Sequence, residues 1–300
     1  MKLGIAVVYL VRDENFELLD LHLRKIRTMT GVPYTIYAGV TRPAPRLAAR
    51  LEAEPRLEIV PLPATELSGS GEHAFYLERL IAHAARDGAT HLVTMHVDSF
   101  PVRPDWAETI GARLSGDVVL ATLSSGGVLT GYSACLFFGR DFWVDCRPKL
   151  LLSAADRKTA EYGRFAREHP HHDEDTGAGY VFRAYASGRR FAPLERLGSG
   201  AGSEQFGGIH GDLVFHLAGA FRYEALGVEE RTAVSRSRSR TLIAVKNRVR
   251  RWVPRALRRR ARKLSLPLIN SWERPLYDQA RSELLDDPER YFERLRQDRG

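Results

Sequence analysis

The spacing of apolar positions changes period several times in the first hundred residues, and each change marks an element. Leu3 to Val11 is a run of β-formers without polar alternation. That pattern predicts a strand covered on both faces, as in a parallel sheet. Leu18, Leu19, Leu21, Leu23 and Ile26 then predict a mostly apolar helix ending near Gly31, and Tyr34 to Val40, entered through Val32-Pro33, reads as a second strand. This β-α-β succession points to a nucleotide-binding type of sheet. After a Pro-, Ala- and Arg-rich stretch from Arg42 to Arg56, Leu57 to Leu62 predicts a third, short strand. Phe75, Leu77, Leu80, Ile81 and Ala84 fit a 3.6-residue period, so a helix is expected over His73 to Arg86.

The next apolar run, Leu92, Val93 and Met95, ends in His96-Val97-Asp98 and is broken at Pro101 and Pro104. It predicts a buried strand that delivers a carboxylate to its C-terminal edge, where open α/β sheets gather ligands. Two residues apart on a strand, His96 and Asp98 would project to one side. Asp105-Trp-Ala-Glu108 has the form of a capping box, which gives Asp105 a structural role as N-cap. Strands are expected over Asp117 to Leu123 and Ala134 to Gly139, with Ser124 to Gly127 and Tyr132 in a small-residue turn between them. Asp175-Thr-Gly opens a helix containing Tyr180, Val181, Arg183 and Ala184, and Arg183 is expected to pair with nearby acids. A late apolar strand, Gly207 to Ala220, carries His210 and His216.

Composition narrows the class. Three hundred residues at 44% hydrophobic content suit one large domain with an appendage. Cys135 and Cys146 are too few for a disulfide framework and lack metal-site spacing, so reduced, buried thiols in a cytoplasmic protein are expected. The apolar N-terminus meets Arg12, Asp13 and Glu14 without a small-residue cleavage pattern, which favours a first strand over a signal peptide. No apolar stretch reaches the roughly 18 to 20 residues that span a bilayer. The formal charge of +8 is uneven: thirteen Lys and Arg and no acid fall between Thr232 and Trp272, so the rest of the chain is net acidic.

Several stretches invite a chemical reading. Ser68-Gly-Ser-Gly71 before a helix could receive phosphate through free amides, but without a full dinucleotide or Walker pattern a linker is the simpler reading. His169 to Asp175 packs three histidines and three acids into seven residues. Adjacent loop residues rarely converge on one ion, so solvent-facing charge ahead of a helix accounts for most of them. Asp175, at a helix start, stays ionised and suits a general base if a substrate hydroxyl reaches it. For His216, glycine and alanine in the residues that follow leave room for a diphosphate, against the plainer role of a satisfied core histidine.

Taken together, the β-α-β opening, the strand ending in His96-Val97-Asp98 with its Pro-x-x-Pro-Asp-Trp continuation, the Asp175-Thr-Gly helix start and the late histidine strand resemble the GT-A glycosyltransferases of bacterial, nucleotide-sugar-dependent type. The resemblance covers roughly Lys2 to Tyr223. It implies an α/β, Rossmann-like, mostly parallel central sheet flanked by helices, over residues 1–231, followed by a basic helical extension over 232–300. It also implies a hexosyl transferase acting on a cell-surface glycan or lipid-linked acceptor, with inversion at the anomeric carbon. By analogy, Asp98 and His96 stand at the Asp-x-Asp motif that holds a divalent cation, Mn²⁺ or Mg²⁺, against the donor diphosphate, and His216 joins that cation. Val8, Tyr9 and Val11 would complete the donor site. Asp175 takes the acceptor-activating role, with Glu174 as its nearest rival. Two departures stand out: the second strand lacks the acidic group that commonly meets uracil and ribose, and His96 replaces the first Asp. A nucleotidyltransferase of related fold and a binding protein without catalysis are the alternatives.

Beyond Tyr223, Leu242, Val245, Val249, Trp252 and Ala256 recur at three- and four-residue spacing among Lys246, Arg248, Arg250, Arg251 and Arg255. With Arg258 to Lys263 and the apolar groups up to Trp272, residues 241–272 form a basic amphipathic stretch suited to an anionic membrane surface. A peripheral protein at the inner face of the membrane is therefore expected. Packing of the apolar stripe on the catalytic domain is the competing reading. Nucleic acid is not expected, since no binding motif accompanies the charge. Leu276 to Arg299 reads as a terminal charged helix.

Overall fold

The computed structural model describes residues 1–9, 16–41, 45–125, 128–129, 131–169, 176–197, 206–217 and 274–297. In chain order the elements are β1 (Leu3–Tyr9), α1 (Phe16–Met29), β2 (Tyr34–Val40), α2 (Pro45–Glu52), β3 (Leu57–Ile59), α3 (Ser70–Arg86), β4 (His91–Met95), β5 (Ser99–Pro101), α4 (Trp106–Arg113), β6 (Val118–Ser125), β7 (Val128–Leu129), β8 (Cys135–Gly139), α5 (Arg140–Cys146), α6 (Ala160–Glu168), α7 (Ala178–Ala186), β9 (Arg190–Glu195), β10 (Gly207–His210) and β11 (Val214–Leu217). Two helices follow, α8 over 274–286 and α9 (Pro288–Gln297).

The large sheet runs β3-β2-β1-β4-β8-β6-β7, with β9 on β6. β3, β2, β1 and β4 are mutually parallel, β8 runs against both β4 and β6, and β9 is parallel to β6. This is the α/β, mostly parallel, helix-flanked architecture expected from the sequence. β1 shows why its pattern does not alternate: Leu3, Ile5, Val7 and Tyr9 enter the core beneath α1, α2 and α4, while Ala6 and Val8 enter the one beneath α3 and α7. Both faces are apolar because both are covered.

A second, three-stranded antiparallel sheet, β10-β11-β5, stands off the end of β4. Here the single late strand expected from Gly207 to Ala220 is corrected to a hairpin. Gly211 and Asp212 both take positive φ, 60° and 61°, and the Leu213 amide donates to the His210 carbonyl at 3.0 Å. Such two-residue turns favour glycine and aspartate. The third strand is also shorter than expected, stopping at Ile59, and α3 begins three residues earlier than its apolar period suggests, at Ser70. The described part of the C-terminal extension, α8 and α9, closes over the small sheet. Tyr277, Ala280, Leu284, Tyr291, Phe292 and Leu295 share a core with Leu18, Leu21, Phe100, Ile209, Phe215 and Leu217. Lys25 to Glu289 at 2.6 Å and Arg296 to Asp212 at 2.7 Å fasten the edges. No helix among the described residues is long and apolar enough to cross a membrane.

Beneath the small sheet, His22 of α1 is fully buried. Its Nδ1 lies 2.9 Å from the Ser99 carbonyl, which can only accept, so Nδ1 carries the proton and Nε2 accepts from the Tyr9 hydroxyl at 3.1 Å. Burial pushes the imidazole down to about 4 from its ordinary value of 6.5. A group held neutral in this way contributes its full stability above about pH 6.5 and loses it as the pH falls toward 4. Chemical denaturation is therefore expected to show stability declining across that window by up to about 3 kcal/mol from this residue, with a shallower decline in His22→Gln.

Candidate metal centre

β4 ends at Met95, so His96, Val97 and Asp98 form a turn and not the strand end expected. The turn closes on Ser99: its amide donates to the His96 carbonyl at 3.0 Å, and its hydroxyl accepts from the His96 amide at 2.9 Å. That hydroxyl also donates to the Ala134 carbonyl at 2.6 Å, which fastens the turn to the lead-in of β8. Strand alternation is thus not what brings imidazole and carboxylate together; the turn does, with His96 Nδ1 3.8 Å from Asp98 Oδ1.

His216 arrives through strand pairing. It sits opposite Ser99 in the β11–β5 register, and the next amide, of Leu217, donates to the Asp98 carbonyl at 2.8 Å. This sets His216 Nε2 3.8 Å from the same Asp98 oxygen. One ligand atom from each of His96, Asp98 and His216 lies within 4.8 Å of the others. Donors around one ion with bonds of about 2.0 to 2.2 Å sit roughly 3 to 4 Å apart, so small side-chain rotations would close the set. Asp98 is only 4% exposed. A buried carboxylate needs a cation or donors, and two imidazole nitrogens facing it make a donor set that fits a divalent ion.

Of the residues that surround this group, the sequence singled out only Tyr132, in its small-residue turn. His73, in the first turn of α3, stacks edgewise on His96 with ring centroids 5.0 Å apart, and desolvation pushes its imidazole down to about 4. Ser133 bonds to His96 Nε2 at 2.9 Å. The Tyr132 ring lies 6.1 Å from that of His216. For His73, the Ser68-Gly-Ser-Gly71 stretch just ahead of it was the local signal.

The other candidates fall in different places. Val7 pairs with Met95, so Val8 and Tyr9 reach the level of the His96 turn. Val8 is 7% exposed, and Tyr9 is fully buried with its hydroxyl on His22. Val11, Glu174 and Asp175 lie outside the described residues, as does the basic stretch 241–272. Thr176 and Gly177, which follow Asp175, are described. The Thr176 carbonyl accepts from the Ser133 amide at 2.9 Å, so Thr176 abuts a residue that touches His96. A Cβ on Gly131 would stand 2.4 Å from the Gly177 backbone, and Gly177 has φ 115°. Both positions require glycine for that approach.

His210 is a core histidine, its Nδ1 donating to the Ser124 and Leu194 carbonyls at 3.0 and 3.3 Å. Asp105 occupies the N-cap position without a capping bond; Arg103 grips its carboxylate through Nε and Nη2 at 2.9 and 2.6 Å. Arg183 meets Asp156 at 3.8 Å. Cys135 is buried, which pushes its thiol up to about 12; Cys146 is also free but only half-buried, not in the core as expected.

The class defined by fold and site is a Rossmann-like α/β domain with a His-Asp-His group at the carboxyl end of its central parallel strand. No protein-family model matches the chain, and no curated protein does. Among solved structures it is similar to the mannosyltransferase PcManGT from Pyrobaculum calidifontis in complex with GDP-Man and Mn²⁺, at 10% identity and TM-score 0.34, covering 47% of this chain and 45% of that one. It is also similar to S. aureus TarS 1–349 in complex with UDP-GlcNAc, at 12% and 0.37, covering 52% and 51%. A third likeness is to CMP:2-keto-3-deoxy-manno-octonic acid synthetase with CTP, at 12% and 0.39, covering 65% and 90%. The chain spans about half the length of the two glycosyltransferases. At such identities, function has to be read from the residues of this chain.

Proposed function

We propose that this protein is a metal-assisted glycosyltransferase that moves a sugar from a nucleoside-diphosphate donor to a hydroxyl acceptor. The observation carrying the reading is the convergence of His96, Asp98 and His216 where the chain leaves β4, at the carboxyl edge of an open α/β sheet. An ion held there would supply Lewis-acid stabilisation of the charge on a departing diphosphate, worth several kcal/mol. The residues divide the remaining work. Asp98 contributes the anionic ligand, and the two imidazoles bind as neutral donors. The His73 ring packs edgewise against that of His96. Asp175, one residue ahead of the Thr176 carbonyl bonded to Ser133, would take the proton from the acceptor hydroxyl.

Incubation of the purified protein with a panel of nucleotide sugars and Mn²⁺ is expected to release nucleoside diphosphate, and EDTA to abolish that release. Pyrophosphate release from a nucleoside triphosphate and a sugar acid or sugar phosphate would instead indicate nucleotidyl transfer. Asp175→Asn should lower turnover by roughly 10² to 10⁴-fold with donor affinity retained, and full activity would remove it from the base role. Imidazole ligands suit Mn²⁺ and later transition ions better than Mg²⁺, which prefers oxygen donors and retains its water. Mn²⁺ is therefore expected to raise the melting temperature at concentrations where Mg²⁺ does not.

The acceptor we favour is lipid-linked or envelope glycan, reached by residues 241–272 lying on an anionic membrane at the cytoplasmic face. Since α8 and α9 belong to the folded core, truncation ahead of the basic stretch would damage the fold. Charge reversal in the full chain, Arg258, Arg259 and Arg260 all to Glu, is the cleaner test. At about 1 kcal/mol per basic residue, flotation with phosphatidylserine vesicles should weaken at least about a hundredfold, and unchanged flotation would count against the membrane role.

A further inference from the structure

The lead-in to β8 touches the cation group from two directions. Ser133 Oγ lies 2.9 Å from His96 Nε2, and the carbonyl of the next residue, Ala134, receives the Ser99 hydroxyl that anchors the His96 amide. Ser133 has little freedom to move. It is 3% exposed, its amide is bound to the Thr176 carbonyl at 2.9 Å, and two residues earlier Gly131 lies directly against Gly177. His96 turns Nδ1 toward Asp98, so a cation shared with Asp98 needs the lone pair on that nitrogen. The proton must then sit on Nε2, where the Ser133 oxygen can accept it. Had the serine hydroxyl donated instead, Nδ1 would carry the proton and the ligand would be lost.

We infer that Ser133 is a positioning residue that holds His96 as its Nε2–H tautomer, aims Nδ1 at the shared cation, and anchors Thr176 through its own amide. The inference rests on the cation reading above and assigns a residue that reading does not require. A hydroxyl behind a metal-binding imidazole raises its basicity and restricts its rotation, and loss of such a partner costs metal affinity about 10- to 100-fold.

Long-range ¹H–¹⁵N correlation spectra of the metal-free wild type should show His96 protonated at Nε2; the Nδ1–H form would overturn the assignment. In titration calorimetry with MnCl₂, Ser133→Ala should bind 10- to 100-fold more weakly than wild type, and its His96 spectrum should become a mixture of tautomers. Ser133→Thr, which retains the hydroxyl, should recover both. Equal Mn²⁺ affinity in wild type and Ser133→Ala overturns the inference while leaving the cation reading intact. A wild type that binds no Mn²⁺ sinks the cation reading, and the tautomer spectrum then still decides the Ser133 bond. Should Ser133→Ala not fold, the wild-type spectrum decides alone.

Discussion

Asp98→Ala is expected to abolish Mn²⁺ binding and to lower sugar transfer by at least about 10³-fold, since the several kcal/mol supplied by a bound Lewis acid are lost together. Among the three ligand residues Asp98 is the only anion, and a single oxygen of its carboxylate faces both imidazoles at 3.8 Å. Without it, two neutral imidazoles are too few and too weak a donor set to hold the ion. Folding should survive, because the turn is closed by backbone and Ser99 contacts that the substitution leaves in place. Calorimetry with MnCl₂ and a donor-hydrolysis assay on the same preparation check the two halves. A variant that still binds Mn²⁺ and turns over donor at wild-type rates would refute the proposed centre.

The largest effect on stability is expected from Phe292→Ala. Phe292 of α9 is 3% exposed, with ring centroids 5.2 Å from Phe215 and 6.2 Å from Phe100, and Lys25 Nζ lies 5.0 Å from its own centroid. Truncating a buried phenylalanine costs about 3 to 5 kcal/mol, a large fraction of the 5 to 15 kcal/mol typical of a folded protein. The effect should reach the candidate metal centre as well. Phe215 precedes His216 on β11 and Phe100 follows Ser99 on β5, so loosening this layer loosens the strand pairing that delivers His216. Urea denaturation should show the lost stability, and Mn²⁺ affinity should fall in parallel. A variant of unchanged midpoint would mean that α9 is only loosely attached.

Much of the parallel half of the sheet was legible, because β1, β2 and β4 are covered on both faces and their composition says so. His96 and Asp98 were legible as a pair at the end of β4, although the turn and not the pleat joins them. His216 could be suspected and not assigned, since its partner is set by pairing between segments far apart in sequence. Ser133 was invisible for the same reason: it meets His96 across 37 residues. Gly211-Asp212 was a readable turn signal that the surrounding apolar run concealed. β9 carries Pro193 and, among the described residues, pairs with β6 alone; an edge strand of this kind leaves almost no periodic trace. In α8, Tyr277, Ala280 and Leu284 mark an apolar stripe, as Tyr291, Phe292 and Leu295 do in α9, but nothing local names the small sheet as their counterpart.

The closing of α8 and α9 over the β10-β11-β5 sheet has a consequence for the order of assembly during synthesis. Lys25 finds Glu289 only after a further 264 residues have been made. The layer behind His216 therefore stays open on the nascent polypeptide until residues 274–297 emerge. Contacts of such long sequence separation are slow to form, so capacity to bind the cation should be acquired last, after the parallel half of the sheet is already in place.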